Sequence, residues 1–422
     1  MDAGDSWARR FFTVWTGQAF SLIGSQLVQF ALVWWLTVET GSAIVLTLAS
    51  VMGILPQVVI TPFAGAYVDR WSRKKVMIAA DGMIAAVTVL LMLSFALGTV
   101  DIVQIMAVLL LRSIFSGFHW PAMQASTSLM VPKAYLARVN GLNEAIRGVA
   151  SIAAPPLGAV LIAFLPMWAV LSFDVITATI AILAVAVVSI PEVHRAAEKV
   201  NVSVVTDLRE ALSYIRAWQG AVWLIVIFML INFLINPAFS LLSLLALKHF
   251  GGGAIEYAAL ESVAGLGMIV GGITLGVWGG TSRKIVTCMA ATGTCGVGVA
   301  LIGLLPPDGY LLAILGCLLI GLSLPVINGT IVAIMQRGVP AGLQGRVLAL
   351  LGSGVAAMSP VGLLLAGPIS ESVGIQAWFL VGGAVMIITA LGSMFVPVIM
   401  HIEDQEAVDQ LEHPRLSLPG QR

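Results

Sequence analysis

Six charged residues stand inside long apolar runs of this sequence: Asp81, Arg112, Glu144, Arg147, Asp174 and Glu261, with His119 close to Arg112. An ionisable group retained in such surroundings faces a partner or a water-filled path. Burial raises a carboxylate's pKa and a nearby arginine lowers it, so an acid whose surroundings change can take up and release a proton. Asp81, Glu144, Asp174 and Glu261 are therefore the candidate proton-coupling acids, with Arg112 a candidate functional charge near the midplane beside them. Two plainer readings stay open. Glu144 and Arg147 are three residues apart on one helical face and could form a fixed pair, and Arg112 could be a structural counter-ion to an acid on a neighbouring helix. His119 has a usable pKa but also reads as a packed polar residue. No metal-ligand cluster or nucleophile–base constellation accompanies these groups, so neither an enzyme nor a cofactor is expected.

The elements that must carry these charges are apolar throughout. The chain has 422 residues, 59% of them hydrophobic and 10% charged, with a mean hydropathy of +1.01. Apolar runs recur about every 35 residues, each near or above the ~20 residues that cross a bilayer. Backbone groups in hydrocarbon must be satisfied within the segment, so the runs are read as helices. About twelve are expected: 11–38, 43–67, 75–98, 102–130, 139–164, 167–190, 221–248, 255–280, 285–305, 309–336, 345–370 and 376–400. On this map Arg112 lies about 15 Å into its helix, near the midplane. Arg9 and Arg10 lead into a run too long for a cleaved signal peptide. Cys288, Cys295 and Cys317 lie in apolar segments and read as packing residues.

Charge orients the bundle. Of the 21 lysines and arginines, all but Lys248, Arg112 and Arg147 fall on the side shared by both termini. The positive-inside rule makes that side cytoplasmic. Zero net charge gives no argument for nucleic acid as a partner.

The chain also repeats itself. "VPKAYLARV" from Val131 is echoed by "VPAGLQGRV" from Val339, "SRKKV" from Ser72 by "SRKIV" from Ser282, and Gly117-x-x-x-Pro121 by Gly321-x-x-x-Pro325, all at nearly one separation. Two six-helix halves related by duplication follow, as in transporters built from repeats. The expected division is 1–190, a linker at 191–220, 221–400, and a cytoplasmic tail at 401–422. In the linker Leu208, Leu212 and Ile215 share one helical face, which fits an amphipathic helix lying on the membrane; a plain linker is the alternative.

"GAYVDRWSRKK", with Gly65, Asp69, Arg70, Arg73 and Lys74, resembles the loop between the second and third helices of the major facilitator superfamily; the duplicate loop has Gly279 where Asp69 stands. "GQAFSLIGSQLVQFALVWWLT", "FHWPAMQASTSLMVP" and "GRVLALLGSGVAAMSPVGLLLAG" extend the resemblance, from about Phe11 to Met400, to the macrolide efflux (Mef-type) branch of its drug–proton antiporters. The resemblance implies a cytoplasmic latch at residues 65–74 and a proton-coupling role for Arg112, within "RSIFSG". "GVASIAAPPLGA" resembles the family's fifth-helix antiporter motif through Gly148, Pro155 and Gly158, with Ala154 and Ala159 departing from it. Small residues let helices approach and proline kinks them.

For substrate the sequence offers a cavity lining rather than a recognition code: Gln26, Gln29, Trp34, Phe115, Trp120, Asn232, Phe233 and Asn328, with Trp35, Phe239 and the kinks "NFLINP" and "PVINGT" nearby. The expectation is a proton-driven exporter of amphiphilic drugs, macrolides foremost, in a bacterial inner membrane. Its expected partners are a small amphiphilic substrate, protons and membrane lipid, and it would act as a monomer. Same-fold transport of a lysolipid or siderophore is the first alternative, and a non-transporting receptor or scaffold the second.

Overall fold

The computed structural model describes residues 3–68, 71–132, 135–190 and 204–404. Asp69 and Arg70 of the latch sequence lie outside the described residues. Among those described the chain is helical with no strand. Helices α1 (Ala3–Thr40), α2 (Ala43–Val68), α3 (Arg73–Leu97), α4 (Ile102–Met130), α5 (Leu136–Phe164) and α6 (Met167–Val187) form the first half. After α7 (Val204–Ala217) come α8 (Gln219–Lys248), α9 (Ala254–Trp278), α10 (Lys284–Leu304), α11 (Tyr310–Gly338), α12 (Ala341–Val373) and α13 (Ile375–Ser393), then the short α14 (Pro397–Met400). Twelve of these, all but α7 and α14, are long and apolar enough to cross a membrane.

The duplication reappears in local geometry. Val131 ends α4 at φ −100°, ψ 128°, and its repeat partner Val339 ends α11 at φ −104°, ψ 128°. Each donates its N–H to the carbonyl four residues back, Thr127 and Met335. Pro121 and Pro325 occupy matching places inside those helices. Lys74 Nζ donates to the Ala186 and Val188 carbonyls at the end of α6, at 2.6 and 2.9 Å. Its repeat partner Lys284 donates to the Gly279 and Thr281 carbonyls. Both satisfy carbonyls that a helix end leaves without intrahelical donors.

The halves join at the end where α1 turns into α2. Glu371 of α12 accepts from Ser42 Oγ (3.1 Å) and the Ile44 N–H (3.1 Å), and Thr37 Oγ1 donates to Ser243 Oγ at 2.8 Å. Ser50 and Ser240 bond through their hydroxyls at 2.7 Å. Along α5 and α9 a proline supplies the acceptor. Pro156 has no N–H to give the Ile152 carbonyl, and Ser262 Oγ of α9 donates to it at 3.0 Å. Gly148 lies on this seam, and Gly158 on the side of α5 that faces α1. A Cβ on Gly148 would come within 3.2 Å of Ile269, and one on Gly158 within 2.7 Å of Phe30. Toward the other end the same helices part: a Cβ on Gly141 of α5, Gly276 of α9, or Gly345 and Gly352 of α12 would meet nothing within 4 Å. One end is closed and the opposite, basic end is open.

The structure refines two expectations. The last turn of the linker helix α7 packs onto protein. Ile215 is buried, Tyr214 Oη donates to the Gly338 carbonyl at 2.6 Å, and the Trp218 ring fills the space a Gly338 side chain would need. The last span stops at Ser393 rather than about 400, because Pro397 holds Val396 extended and starts α14 afresh.

Candidate functional site

In the first half, α1 to α5 enclose a cavity of about 650 Å³. Its wall carries Gln18, Gln26, Gln29, Gln57, Asp81, Arg112, Ser113, His119, Trp120, Asn143 and Arg147 among apolar residues such as Leu22, Ile54, Ile84, Leu109 and Met123. Helix α2 contributes a proline of its own. The Gln57 N–H, next to Pro56, donates to Ser113 Oγ of α4 at 3.1 Å, tying α2 to α4.

The deepest element of the wall is an ion pair. Arg112 of α4 bonds directly to Asp174 Oδ2 of α6, and Asp174 is fully buried. Thr88 Oγ1 of α3 lies between them, accepting from Arg112 Nη1 at 2.5 Å and donating to Asp174 Oδ2 at 3.1 Å. Ser25 Oγ of α1 donates to Asp174 Oδ1 at 2.8 Å. Four helices thus meet on one carboxylate. A buried pair that is hydrogen-bonded this fully is costly to break from either side, because the remaining charge is stranded. Of the two readings of Arg112, the counter-ion contact exists; it is compatible with coupling, since such a pair can break and re-form around a proton.

A second group lies nearer the open end. Asp81 Oδ2 accepts from Gln18 Nε2 at 2.9 Å, and Asp81 Oδ1 is 3.3 Å from His119 Nε2. Beside them Trp15 Nε1 donates to Asn143 Oδ1 at 2.9 Å, and the Arg147 guanidinium sits 3.8 Å over the Trp120 ring. Arg147 is therefore held by an aromatic face. Glu144 is exposed, with no hydrogen bond or ion pair among the described residues, so the fixed Glu144–Arg147 pair is not present. Glu261 is on α9, away from this wall, where Tyr257 Oη donates to it at 2.8 Å and the Tyr257 ring stacks on Phe30 of α1 at 4.9 Å.

The expected substrate lining divides in the same way. Gln26, Gln29 and Trp120 line the cavity. Trp34 does not, being buried against Tyr257. Phe115 points instead into an apolar groove on the outside of α3 and α4, with Trp71, Lys75, Met83 and Phe118. Asn232 and Phe233 belong to the second half, where Asn232 Nδ2 donates to the Phe228 carbonyl and Phe233 packs on Trp378; Asn328 is exposed on α11. Helical period alone does not say which way an aromatic in an all-apolar helix faces. The residues sequence reasoning passed over are neutral and small or medium-sized: Gln18, Ser25, Thr88, Ser113 and Asn143. They carry no charge to mark them in an apolar run, and their partners are far away in sequence.

Twelve apolar helices in two six-helix halves, meeting at one end over a polar-walled cavity, define a multi-pass membrane transporter. The chain belongs to the Major Facilitator Superfamily, whose model matches residues 14–362. It is 33% identical over 392 residues to "Macrolide efflux protein A" of Streptococcus pyogenes, covering 93% of this chain and 96% of that one. It is 27% identical over 399 residues to "Multidrug efflux pump Tap" of Mycolicibacterium fortuitum, covering 90% and 94%. Among solved structures it is similar to the nucleoside transporter NupG (TM-score 0.71, 16% identity, 91% of this chain and 98% of that one). A bacterial homologue of the iron transporter ferroportin, in an inward-facing state, matches with TM-score 0.71 at 15% identity over 91% and 98%. At those identities the structural likeness is one of fold. The family is one of transporters, not enzymes.

Proposed function

We propose that this protein is a proton-driven exporter of amphiphilic drugs, macrolides foremost, working by alternating access in a bacterial inner membrane. The observation that carries the reading is the Arg112–Asp174 pair sealed into the wall of an amphiphilic cavity, in a chain a third identical to a macrolide efflux protein. A volume of 650 Å³ falls within the roughly 300–1,000 Å³ of drug-sized sites. Gln26, Gln29 and Trp120 would contact the cargo.

The open, basic end is the cytoplasmic one, with both termini on that side, and the chain acts as a monomer. Residues 1–190 and 221–400 rock against each other about the linker at 191–220. Gly65, Asp69, Arg70, Arg73 and Lys74 form the latch that closes the cytoplasmic end, while Gly148, Pro155 and Gly158 let α5 slide on its neighbours. Arg112 and Asp174 couple the proton, the Asp174 carboxylate taking it up as the permanently charged Arg112 lets go, with Asp81, Glu144 and Glu261 as further membrane acids.

Energy favours such a cycle. A potential of ~100 mV is worth ~2.3 kcal/mol per charge, and one pH unit adds ~1.4 kcal/mol. Macrolides are amine cations, so one-for-one exchange cancels the electrical part and leaves about tenfold concentration per pH unit.

The test is erythromycin uptake into inside-out vesicles, with and without a protonophore, for wild type and Arg112→Ala. Uptake abolished by the protonophore and reduced at least tenfold in the variant supports the function and the residue. Protonophore-sensitive uptake unchanged in the variant keeps the function and discards Arg112. No uptake above empty vesicles, with the protein folded, removes macrolides as cargo.

A further inference from the structure

The polar side chains of the cavity wall form two tiers. The deeper tier is Ser25, Thr88 and Arg112, gathered on Asp174; the shallower is Gln18, Asp81 and His119. On α1, α3 and α4 alike, the members of the two tiers are seven residues apart: Gln18 and Ser25, Asp81 and Thr88, Arg112 and His119. Seven residues are close to two turns, so each tier repeats on the same faces of the same three helices about 10 Å along the axis. Helix α4 runs opposite to α1 and α3, and its order is reversed accordingly.

The tiers differ in how fully they are satisfied. Both oxygens of Asp174 have donors and its carboxylate is closed off from the cavity. Asp81 and His119 line the cavity. Their 3.3 Å approach is inside ion-pair range but out of line for a hydrogen bond, and His119 Nε2 has no hydrogen-bond partner although it is buried. An acid and an imidazole in the cavity-lining tier, in ion-pair range but not hydrogen-bonded to each other, can share one proton.

The surroundings leave that proton to the dyad. From α1 it faces neutral Gln18 and Trp15, and from α2 neutral Gln57. From α5 it faces Asn143 and Arg147, the latter held over Trp120, while Glu144 is exposed farther round that helix. From α6 the acid is Asp174, already paired with Arg112. On α3 itself, Lys74 reaches to the α6 carbonyls and Lys75 to the outer groove.

We propose that Asp81 and His119 form a second proton-carrying site, two turns nearer the open end than Arg112–Asp174, so that two protons enter per cation expelled. The unloaded dyad, a carboxylate beside a neutral imidazole, carries one negative charge. A proton taken from water in the cavity makes it neutral, and the same proton returns to water at the other side. The transport consequence rests on the proposed proton-coupled export, whereas the proton site itself can be read without any cargo.

The first experiment is a pH titration of the full-length protein in nanodiscs with ring-labelled histidine, followed by NMR, with His119→Gln to assign the resonance. The His119 signal is expected to titrate within the pH range over which the protein stays folded, and Asp81→Asn to shift its midpoint by tenfold or more in proton concentration. A His119 signal that does not titrate there, or is indifferent to Asp81→Asn, overturns the site. The second is erythromycin uptake into proteoliposomes under a potassium–valinomycin potential alone. Wild type is expected to respond, while Asp81→Asn and His119→Gln respond only to an imposed pH gradient. Variants that follow the potential as wild type does overturn the second proton. A titrating dyad in a protein that moves no erythromycin at all supports the site and refutes the cargo instead.

Discussion

The two halves descend from one repeat, share their caps and prolines, and are stabilised in different ways. In the first half, helices converge on charge. Asp174 draws donors from α1, α3 and α4, and Asp81 bridges α1 and α4. In the second half they converge on backbone. A Cβ on Gly271 would lie 2.2 Å from the Leu322 carbonyl oxygen, one on Gly321 2.1 Å from that of Ala264, and one on Gly383 2.4 Å from the Ala300 nitrogen. Helices α9, α10, α11 and α13 are thus packed backbone to backbone, which in lipid supplies the dispersion contacts that hydrophobic burial cannot. The comparison teaches a division of labour. The half with ionisable walls holds the cavity, and the other half is packed through its glycines.

The largest effect should come from stranding a charge. Arg112→Ala leaves Asp174 buried without its cation, and an unpaired buried charge costs about 3–5 kcal/mol. A fall in the unfolding temperature of the purified protein is expected, with most of it recovered in the Arg112→Ala, Asp174→Asn double variant. Absence of that recovery would break the claim that the first half is organised by charge.

Next comes the glycine contrast. Gly321→Ala drives a methyl into a carbonyl that cannot move away, and overpacking of this kind costs about 1–3 kcal/mol or more. Gly24→Ala in the first half meets the Thr177 hydroxyl, 2.1 Å away, a side-chain atom held by the Phe173 and Asp174 carbonyls rather than a backbone atom of a neighbouring helix. Monodisperse yield and unfolding temperature should fall for Gly321→Ala and fall less for Gly24→Ala. Equal losses would erase the difference between the halves.

Smaller effects lie at the seam and the loops. Ser262→Ala removes the donor to the carbonyl that Pro156 leaves open, at about 0.5–1.5 kcal/mol, and should raise cysteine-labelling rates at the closed end. Lys74→Met leaves the α6 carbonyls to water, worth about 0.3–1 kcal/mol. Its thermal effect should be barely measurable, and a larger loss of transport than of stability would sharpen the latch reading.

Much of this was legible in one dimension. The runs around Asp81, Arg112 and Asp174 give helices because hydrocarbon allows a spanning backbone little else, and the Val-Pro and Ser-Arg-Lys repeats give two halves because duplicated sequence folds alike. The charged wall residues stood out because their cost is visible against apolar neighbours. Trp34 and Phe115 misled for the opposite reason: an aromatic costs little facing lipid, a neighbour or a cavity, so its type does not fix its direction. The linker helix showed an amphipathic face in sequence, and only the structure ties its last turn to Gly338 of the second half through Tyr214.

By itself, then, the sequence determined the number of spans, their helical form, the duplication and the short set of ionisable candidates, all consequences of transfer free energy and local spacing. Tertiary structure alone decided that Arg112 meets Asp174, that Asp81 meets His119 rather than a lysine or arginine, that Glu144 stands apart from Arg147, and that the halves close at one end. Those pairings join residues up to hundreds of positions apart. They depend on the rotation of each helix about its axis, which a uniformly apolar surface does not encode and which only the packing of one helix on another can select.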